Sequence, residues 1–313
     1  MQNEPSVVSV VIPCYNAERL VGEAIRSALD QAHREIEVIV IDDGSMDGSL
    51  GVIRSFGDRI RWETGPNRGA AAARNRGIEL ARGEFVQFLD ADDLLLPAKI
   101  GRQLPEALAH PAEVIFCEGE TVDPQTREEE IRFRYNDPEE DSVLFVLRTF
   151  VATPAPLHWK RNLQAVGGFT EGLPNSQEFD LHLRMACAGL RFRRMPESLF
   201  KVRLMRSSLS NDYLRVLSTR REVLRASYRL LEERGALNEA RTRAFAAAMA
   251  RSGRHCLQRG DRELGLSYFR EAELINRAGV LDAYNSPNRV IYRCMGPIVT
   301  EKLAAMRRQF LRS

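Results

Sequence analysis

Residues 38–45 read VIVIDDGS, a run of β-branched residues that ends in two adjacent carboxylates, Asp42 and Asp43. A near-continuous apolar run of this kind is typical of a strand buried on both faces of a parallel sheet. Open α/β sheets bind their ligands in the crevice beyond the carboxyl ends of the strands, which is where this pair would lie. A single acid is enough to cap a following helix, so the pair favours a binding site over a helix cap alone.

Three further runs of β-branched and aromatic residues lie in the first hundred positions, and amphipathic stretches separate them. The predicted strands are residues 7–12, 36–41, 59–63 and 84–89, and the predicted helices are residues 17–31 and 70–81. Strands that alternate with helices in this way predict a parallel sheet covered by helices. The predicted fold class is therefore α/β, with a Rossmann-like, mostly parallel sheet flanked by helices.

The fourth predicted strand ends in residues 88–93, FLDADD, which place Asp90, Asp92 and Asp93 within four positions. Three carboxylates this close repel one another unless a cation offsets their charge. Hard divalent ions such as Mg²⁺ and Mn²⁺ take oxygen ligands, and Mg²⁺ commonly binds one or two carboxylates together with substrate phosphates. The pattern predicts a site for Mn²⁺ or Mg²⁺, and the alternative is a solvated acidic turn that caps the helix after Pro97.

Further motifs follow in a fixed order along the chain. They are VVIPCYN at 10–16, IDDGS at 41–45, NRG at 67–69, ARNRG at 73–77, FLDADD at 88–93, GGF at 167–169 and QEFDLHLR at 177–184. In order and spacing they resemble the family 2 glycosyltransferases of GT-A fold, and the resemblance covers about residues 6–205. A lone D-x-D motif would be weak evidence, whereas an ordered set of motifs is specific.

The resemblance implies that residues at the first two strand ends bind a nucleotide sugar. Pro13 and Tyr15 would line the base pocket, with Tyr15 packing near the base. Asp43 would accept a hydrogen bond from a ring N–H of the base, with Asp42 beside it in the same site. Arg74 stands where the family places a basic residue near the nucleotide.

The resemblance also assigns roles to the second acidic cluster. Asp90 would face the ribose or the metal, and Asp92 would bind the divalent ion that bridges the two phosphates. Ala91 lies between them in the donor site. Because the diphosphate is the leaving group, a cation at this position lowers the barrier by neutralising the charge that develops on it.

The acceptor hydroxyl needs a base, and the predicted helix over residues 176–189 carries the candidates. Many relatives begin this helix with Glu-Asp and use the Asp, whereas this chain has Gln177 and Glu178. Glu178 is the candidate base, with a side chain one methylene longer than that of the family. Asp180 belongs to another face of the helix and is interpreted as structural, and His182 is the remaining alternative base.

Charge divides the chain into two parts, with a predicted boundary near residue 205. Residues 1–200 hold 22 basic and 32 acidic residues, whereas residues 201–313 hold 23 and 11. We interpret residues 1–205 as the GT-A domain and residues 206–313 as a basic α-helical region. The positive charge could meet anionic lipid head groups, a protein partner or the phosphate of a lipid-linked acceptor. Nucleic acid is disfavoured, because the arginines are dispersed among helices without an aromatic platform.

The location of the protein is inferred from what its sequence lacks. No apolar run approaches the ~18 residues that span a bilayer, and the first residues lack the order of a signal peptide. The expected location is the cytoplasm, with peripheral contact at the inner face of the membrane through the basic helices. The five cysteines contain no C-x-x-C pair, so no structural zinc site is indicated.

Together, the residues and the resemblance predict a metal-dependent, inverting glycosyltransferase of bacterial polysaccharide biosynthesis. It would move a sugar from a nucleotide-diphosphate donor, with UDP as the expected nucleotide, to a hydroxyl of a glycan or lipid-linked acceptor. Inversion follows from the family and from the single base, since direct attack by one hydroxyl needs no protein nucleophile.

Two alternative functions stay open at this point. One is a nucleotidyltransferase that forms sugar nucleotides, although the Gly-rich basic loop that it needs after the first strand is missing. The other is a catalytically silent module that binds nucleotide sugars, which only the departure at Gln177 and Glu178 favours.

Overall fold

The computed structural model describes residues 7–123, 129–204 and 213–310. The chain divides into two compact units, Met1–Ser208 and Leu209–Ser313. Every described strand belongs to the first unit, and the described part of the second unit is helical.

The first unit is built on one mixed sheet. Its strands are β1 Val8–Cys14, β2 Ile36–Asp42, β3 Arg61–Thr64, β4 Phe85–Phe88, β5 Leu94–Leu95, β6 Glu113–Val122, β7 Glu129–Phe133, β8 Pro156–Trp159 and β9 Arg191–Arg203. They lie in the order β3-β2-β1-β4-β8-β6-β9-β5, with β7 paired to β6. The first four strands are parallel to one another, and β8 runs antiparallel to both β4 and β6.

The helices of the first unit connect these strands. They are α1 Val21–Leu29, α2 Ser49–Arg54, α3 Ala70–Leu80, α4 Lys99–Ala109, α5 Ser142–Arg148, α6 Lys160–Ala165 and α7 Gln177–Cys187. The helix predicted over residues 17–31 is shorter than expected, since α1 begins only after Leu20 and ends at Leu29. The backbone amides of Ala17 and Glu18, before α1, bind the side chains of Ser49 and Asp47.

The core lies around the parallel strands. β1 is buried at every position and β2 at all but Ile36, as expected of apolar strands covered on both faces. The four predicted strands are confirmed, each within two residues of its expected ends. The predicted α/β class is therefore confirmed, and the sheet is parallel through its first four strands.

The second half of the sheet contains the antiparallel pairs. The apolar run at residues 113–117 begins β6, which continues to Val122 and pairs parallel with β9. Part of the polar segment at residues 121–141 forms β7, antiparallel to β6. Residues 124–128 of that segment lie outside the described residues.

The second unit contains four described helices, α8 Tyr213–Glu233, α9 Glu239–Gln258, α10 Arg262–Leu281 and α11 Ser286–Phe310. Side chains of Asn238 and Asp261 accept hydrogen bonds from backbone N–H groups in the first turns of α9 and α10 and so cap them. Regular helix geometry is interrupted at Asn276 in α10 and at Gly296 in α11. Among the described residues, no helix has the length and apolar character needed to span a membrane.

Candidate active site

The register of the parallel strands brings two acidic strand ends to the same edge of the sheet. Cys14 at the end of β1 pairs with Asp42 at the end of β2, and Val11 pairs with Phe88 in β4. The N–H of Asp43 continues the first pairing by donating to the Cys14 carbonyl at 2.8 Å. Since β1 lies between β2 and β4, the acidic segments after those two strands flank its carboxyl end.

A buried arginine joins the second acidic segment to the candidate base. Arg74 projects from α3, and its side chain is 5% exposed. Its Nη2 donates to Asp90 Oδ1 at 2.6 Å and lies 3.2 Å from Glu178 Oε1. Its Nη1 donates to Gln177 Oε1 at 2.7 Å. Burial alone would lower the pKa of the Arg74 guanidinium, but the Asp90 and Glu178 carboxylates outweigh it and raise that pKa.

Glu178 is held by one carboxylate oxygen. Thr153 Oγ1 donates to Glu178 Oε1 at 3.0 Å, and Arg74 approaches the same oxygen. Within the described residues no hydrogen bond to Oε2 is formed. The side chain is 15% exposed and lies in the first turn of α7, where a helix favours negative charge. One oxygen is therefore positioned by the protein while the other remains able to accept a proton.

The turn after β4 is fixed by a buried aspartate. Asp93 Oδ1 accepts from the Arg203 N–H at 3.1 Å, and the Asp93 N–H donates to the Asp90 carbonyl at 3.0 Å. Arg203 Nη1 also donates to the Asp92 carbonyl at 3.1 Å. Asp93 thus supports the turn, while the side chains of Asp90 and Asp92 are only partly buried.

This turn carries more negative charge than its neighbours neutralise. Burial, followed by repulsion from Asp90, raises the pKa of Asp92. Burial, followed by repulsion from Asp90 and Asp92, raises the pKa of Asp93 well above its usual range. Each carboxyl group therefore binds its proton more tightly in the folded chain than it would in water.

The turn offers carboxylate oxygens, the donor type that a divalent ion prefers. No group of three or more His, Cys, Asp and Glu side chains that could hold a metal occurs in the ranges 7–123, 129–204 and 213–310. An ion that shares its coordination with a diphosphate needs only one or two carboxylates from the protein. Asp92 suits such an ion best, because Asp90 is already paired with Arg74.

The acidic pair after β2 is stabilised by hydrogen bonds from neutral donors rather than by a cation. Asp42 is 1% exposed, and its two oxygens accept from Thr64 Oγ1 at 2.6 Å and from the Ser45 N–H at 3.3 Å. Asp43 accepts from the backbone N–H groups of Arg68 and Gly69, each at 2.8 Å. Both aspartates therefore tie neighbouring segments to the strand end, a structural role that the sequence motif alone did not reveal.

The other predicted nucleotide-binding residues differ in accessibility. Pro13 is buried within β1, and Ala91 is 7% exposed. Tyr15, beyond the end of β1, is 46% exposed. Next to it, Asn16 accepts from the Met46 N–H at 2.8 Å, which ties the segment after β1 to the one after β2. Tyr15 therefore offers an accessible ring at a fixed position.

The alternative bases on α7 are engaged in packing. Asp180 Oδ2 accepts from Arg184 at 2.7 Å and from Thr170 Oγ1 at 2.7 Å, the contacts expected of the structural role predicted for it. His182 is 3% exposed and stacks on His158 with ring centroids 5.8 Å apart. Burial, with a smaller contribution from Arg184, lowers the pKa of His182 to about 3. A histidine this weakly basic is a poor proton acceptor at neutral pH.

Several supporting residues were missed by the sequence reasoning. Asn75 holds the GGF segment, since its side chain accepts from the Phe169 N–H at 2.8 Å and donates to the Phe169 carbonyl at 2.9 Å. The Phe169 ring in turn lies 5.2 Å from the guanidinium of Arg74. Asn75 belongs to the ARNRG motif, so the sequence could have indicated it. No motif lies near Thr153, so nothing in the sequence indicated its role.

The mostly parallel sheet flanked by helices is that of a GT-A fold. Residues 9–168 match the model described as glycosyl transferase family 2. The chain belongs to this family, and the predicted family membership is confirmed.

Related sequences share the same part of the chain. An uncharacterized glycosyltransferase of Rickettsia conorii is 33% identical over 192 residues, which cover 58% of this chain and 31% of that protein. The putative teichuronic acid biosynthesis glycosyltransferase TuaG of Bacillus subtilis is 39% identical over 108 residues, which cover 33% of this chain and 43% of TuaG. The chain thus spans about a third of the length of the Rickettsia relatives that it matches over 191 or 192 residues.

A solved structure shows the same fold. The crystal structure of S. aureus TarS 1–349 in complex with UDP-GlcNAc superposes with a TM-score of 0.57 at 16% identity, covering 87% of this chain and 92% of that one. At this identity the likeness establishes the fold and no more.

Proposed function

We propose that this chain transfers a sugar from a UDP-linked donor to a hydroxyl of a glycan or lipid-linked acceptor, with inversion at the anomeric carbon. The observation that carries the proposal is the position of Arg74, which contacts Asp90 on the donor side and Glu178 on the acceptor side. In this proposal the chemistry belongs to residues 1–205, and the basic region at residues 206–313 takes no part in it.

The donor nucleotide would lie along the edge formed by the first two strand ends. Tyr15 would pack near the base, with Pro13 shaping the pocket floor. Asp43 would accept a hydrogen bond from the base while it continues to hold the segment at residues 67–69, because each carboxylate oxygen has a second lone pair. Asp42 would stabilise this edge through its hydrogen bonds to Thr64 and Ser45, and Ala91 would lie against the donor.

Two observations from relatives support the choice of substrates. TarS was crystallised in complex with UDP-GlcNAc, which favours a UDP-linked donor for the same fold. TuaG is a putative glycosyltransferase of teichuronic acid biosynthesis, which favours a bacterial cell-surface polysaccharide as the product.

The divalent ion, Mn²⁺ or Mg²⁺, would be held by Asp92 with help from Asp90. When bound, it supplies positive charge where negative charge develops on the leaving diphosphate. Asp93 and Arg203 hold the turn that carries these two carboxylates.

Glu178 would remove the proton from the acceptor hydroxyl through Oε2. Thr153 and Arg74 fix Oε1, so the second oxygen has a defined direction. Gln177 contributes by giving Arg74 a neutral acceptor, since a carboxylate at that position would add a third negative charge around one guanidinium. Attack by one activated hydroxyl on the face opposite the diphosphate is a single displacement, which inverts the anomeric centre.

The test is turnover of a panel of UDP-sugars with Mn²⁺, using wild-type protein and Glu178→Gln. The variant keeps the shape of the side chain and removes its basicity, so we expect donor affinity near that of the wild type and transfer slowed by roughly 10² or more. Asp180→Asn is the matched control, because it changes a carboxylate on the same helix that is engaged with Arg184.

Two outcomes would count against this assignment. Transfer at the wild-type rate by Glu178→Gln would remove Glu178 from the reaction. Tight donor binding by the wild type without turnover of any acceptor would instead indicate a silent nucleotide-sugar-binding module.

A further inference from the structure

Two short segments lie beyond the carboxyl ends of β1 and β2, at residues 15–18 and 45–49. Hydrogen bonds of 2.8 to 3.1 Å join them. The donors are the N–H groups of Asn16, Ala17 and Glu18, which bind the side chains of Ser45, Ser49 and Asp47, and the N–H of Met46, which binds Asn16 Oδ1. The two backbones are therefore held side by side, and we refer to them as the paired segments.

Asn16 joins the paired segments through an uncommon backbone conformation. Its φ is +51°, and among the described residues only Ser176 is another non-glycine residue with a positive φ. Asparagine tolerates the left-handed region better than most residues, because its short polar side chain can form local hydrogen bonds. The backbone and the side chain of Asn16 both contact the second segment. Conformations of this kind persist where the surrounding structure holds them, often beside ligand sites.

Each of the paired segments exposes one large apolar side chain. Tyr15 is 46% exposed and Met46 is 82% exposed. Three other side chains of this class are exposed in the described part of the first unit, and none belongs to the paired segments. They are Leu108, Phe150 and Leu204. A single exposed methionine needs no explanation. Met46 differs because its backbone is fixed by hydrogen bonds and a second exposed apolar side chain belongs to the adjoining segment.

The proposed acceptor for the base belongs to the same edge of the unit. The N–H of Asp43 donates to the Cys14 carbonyl at 2.8 Å, so Asp43 and Tyr15 follow neighbouring strands at the same level. Gly44 then adopts φ of +76°, which turns the chain before Met46. The backbones of Tyr15, Asp43 and Met46 therefore have fixed positions along one strand-end edge.

We propose that Met46 packs against one face of the nucleotide base, opposite Tyr15, so that the base lies between a thioether and an aromatic ring. This inference rests on the proposed UDP site and adds a residue to it. A base has two flat faces, and Tyr15 covers one of them while Asp43 binds the edge. Methionine suits the second face, because its thioether is polarisable and its three rotatable bonds let it follow the surface of a ring.

The first test is the methyl resonance of Met46 in protein labelled with methyl-¹³C methionine. The chain has eight methionines, and the variant Met46→Leu identifies the resonance. The ring current of a base shields a methyl group above its face, so we expect an upfield shift on saturation with UDP and Mg²⁺. Inorganic pyrophosphate with Mg²⁺ has no base and should not cause this shift. The methyl group of Met306, exposed in the second unit, is the internal reference.

The second test is calorimetric titration of variants with UDP and Mg²⁺. Met46→Ala should weaken UDP binding about 3- to 10-fold, which is the size of a contact between a thioether and an aromatic ring. Met46→Leu keeps the apolar volume and should lose less. The matched control is Leu108→Ala, which removes an exposed apolar side chain of α4 in the same unit and should leave UDP affinity unchanged.

The outcomes separate this inference from the proposed function. An unshifted Met46 methyl group in protein saturated with UDP would overturn the inference and leave the nucleotide site in place. Unchanged UDP affinity in Met46→Ala, or equal losses in Met46→Ala and Leu108→Ala, would do the same. A wild-type protein that does not bind UDP would instead overturn the nucleotide site itself, and with it the role of Met46.

Discussion

The ends of β2 and β4 carry almost the same acidic signature, yet the protein neutralises them in opposite ways. After β2, the oxygens of Asp42 and Asp43 are all hydrogen-bonded, to one hydroxyl and three backbone N–H groups. After β4, Asp90 depends on one shared guanidinium, and neighbouring carboxyl groups have raised pKa values. At the β2 end every carboxylate oxygen has a hydrogen-bond donor from the protein, whereas the β4 end has an excess of negative charge that a cation can offset.

The dependence of the β4 end on one group gives the largest expected effect. Replacing Arg74 by Ala leaves Asp90 and Glu178 without their shared cation in a largely buried site, so we expect the free energy of unfolding to fall by about 3–5 kcal/mol. Thr64→Val removes one of several donors at the β2 end and should cost only about 1 kcal/mol. Urea denaturation of both variants measures the two losses in free energy of unfolding. Similar losses would show that the β4 end does not depend on a single group more than the β2 end does.

We expect the β2 end to contribute to nucleotide binding equally in the presence and in the absence of a metal ion. Asp43→Ala removes the acceptor for the base and the anchor of the Arg68 and Gly69 amides, so we expect UDP binding to weaken by roughly 1–3 kcal/mol. Calorimetric titration with UDP should show this loss with Mn²⁺ and with EDTA alike. Wild-type affinity in the variant would place the nucleotide elsewhere.

The β4 end should carry the metal dependence. We expect Mn²⁺ to tighten UDP binding by about tenfold or more in the wild type, because the cation relieves repulsion between carboxylates and phosphates. Asp92→Asn should remove most of this enhancement while leaving affinity in EDTA nearly unchanged. Equal UDP affinity of the wild type in Mn²⁺ and in EDTA would argue against a metal at this turn.

The smallest effect concerns pH and stability without metal. Because the folded chain raises the pKa of Asp92, ionisation of this carboxyl disfavours folding at neutral pH, and the penalty is relieved as the pH falls towards the raised value. Asp92→Asn should therefore stabilise the metal-free protein at pH 7, by less than about 1 kcal/mol for a partly exposed group. The gain should shrink as unfolding is measured at successively lower pH, towards the range in which a free aspartate titrates, and a gain that grows on acidification would reverse this interpretation.

Much of the fold followed from local sequence patterns. Apolar periodicity located the four parallel strands and several helices, and strand-end chemistry located both acidic segments. The side-chain partners within the site could not be predicted, because they come from segments far apart in the chain. Thr153 reaches Glu178 across 25 positions and Arg74 reaches Gln177 across 103, and no local pattern encodes such contacts.

The roles of the individual aspartates could not be predicted for the same reason, since they depend on contacts with distant segments. The doubled aspartates after β2 resembled a ligand site, but their oxygens also hold Ser45, Thr64 and the segment at residues 67–69. Sequence shows which residue types lie at a strand end, whereas hydrogen-bond donors determine how many of their lone pairs are already in use. That count depends on loops whose paths the motif does not specify.

The two hydrogen bonds between Asn75 and Phe169, the clamp on the GGF segment, predict which substitutions outside the acidic residues would inactivate the protein. Gly168 adopts φ of +67°, and a Cβ there would lie 2.5 Å from Asn75 Oδ1, so a larger residue displaces the clamp and with it the Phe169 ring beneath Arg74. A genetic screen for inactive alleles should therefore recover Gly168 and Asn75 beside the acidic residues, although neither is assigned a contact with the donor. Second-site revertants of such alleles should cluster on α3 and α7, the two helices between which the guanidinium lies.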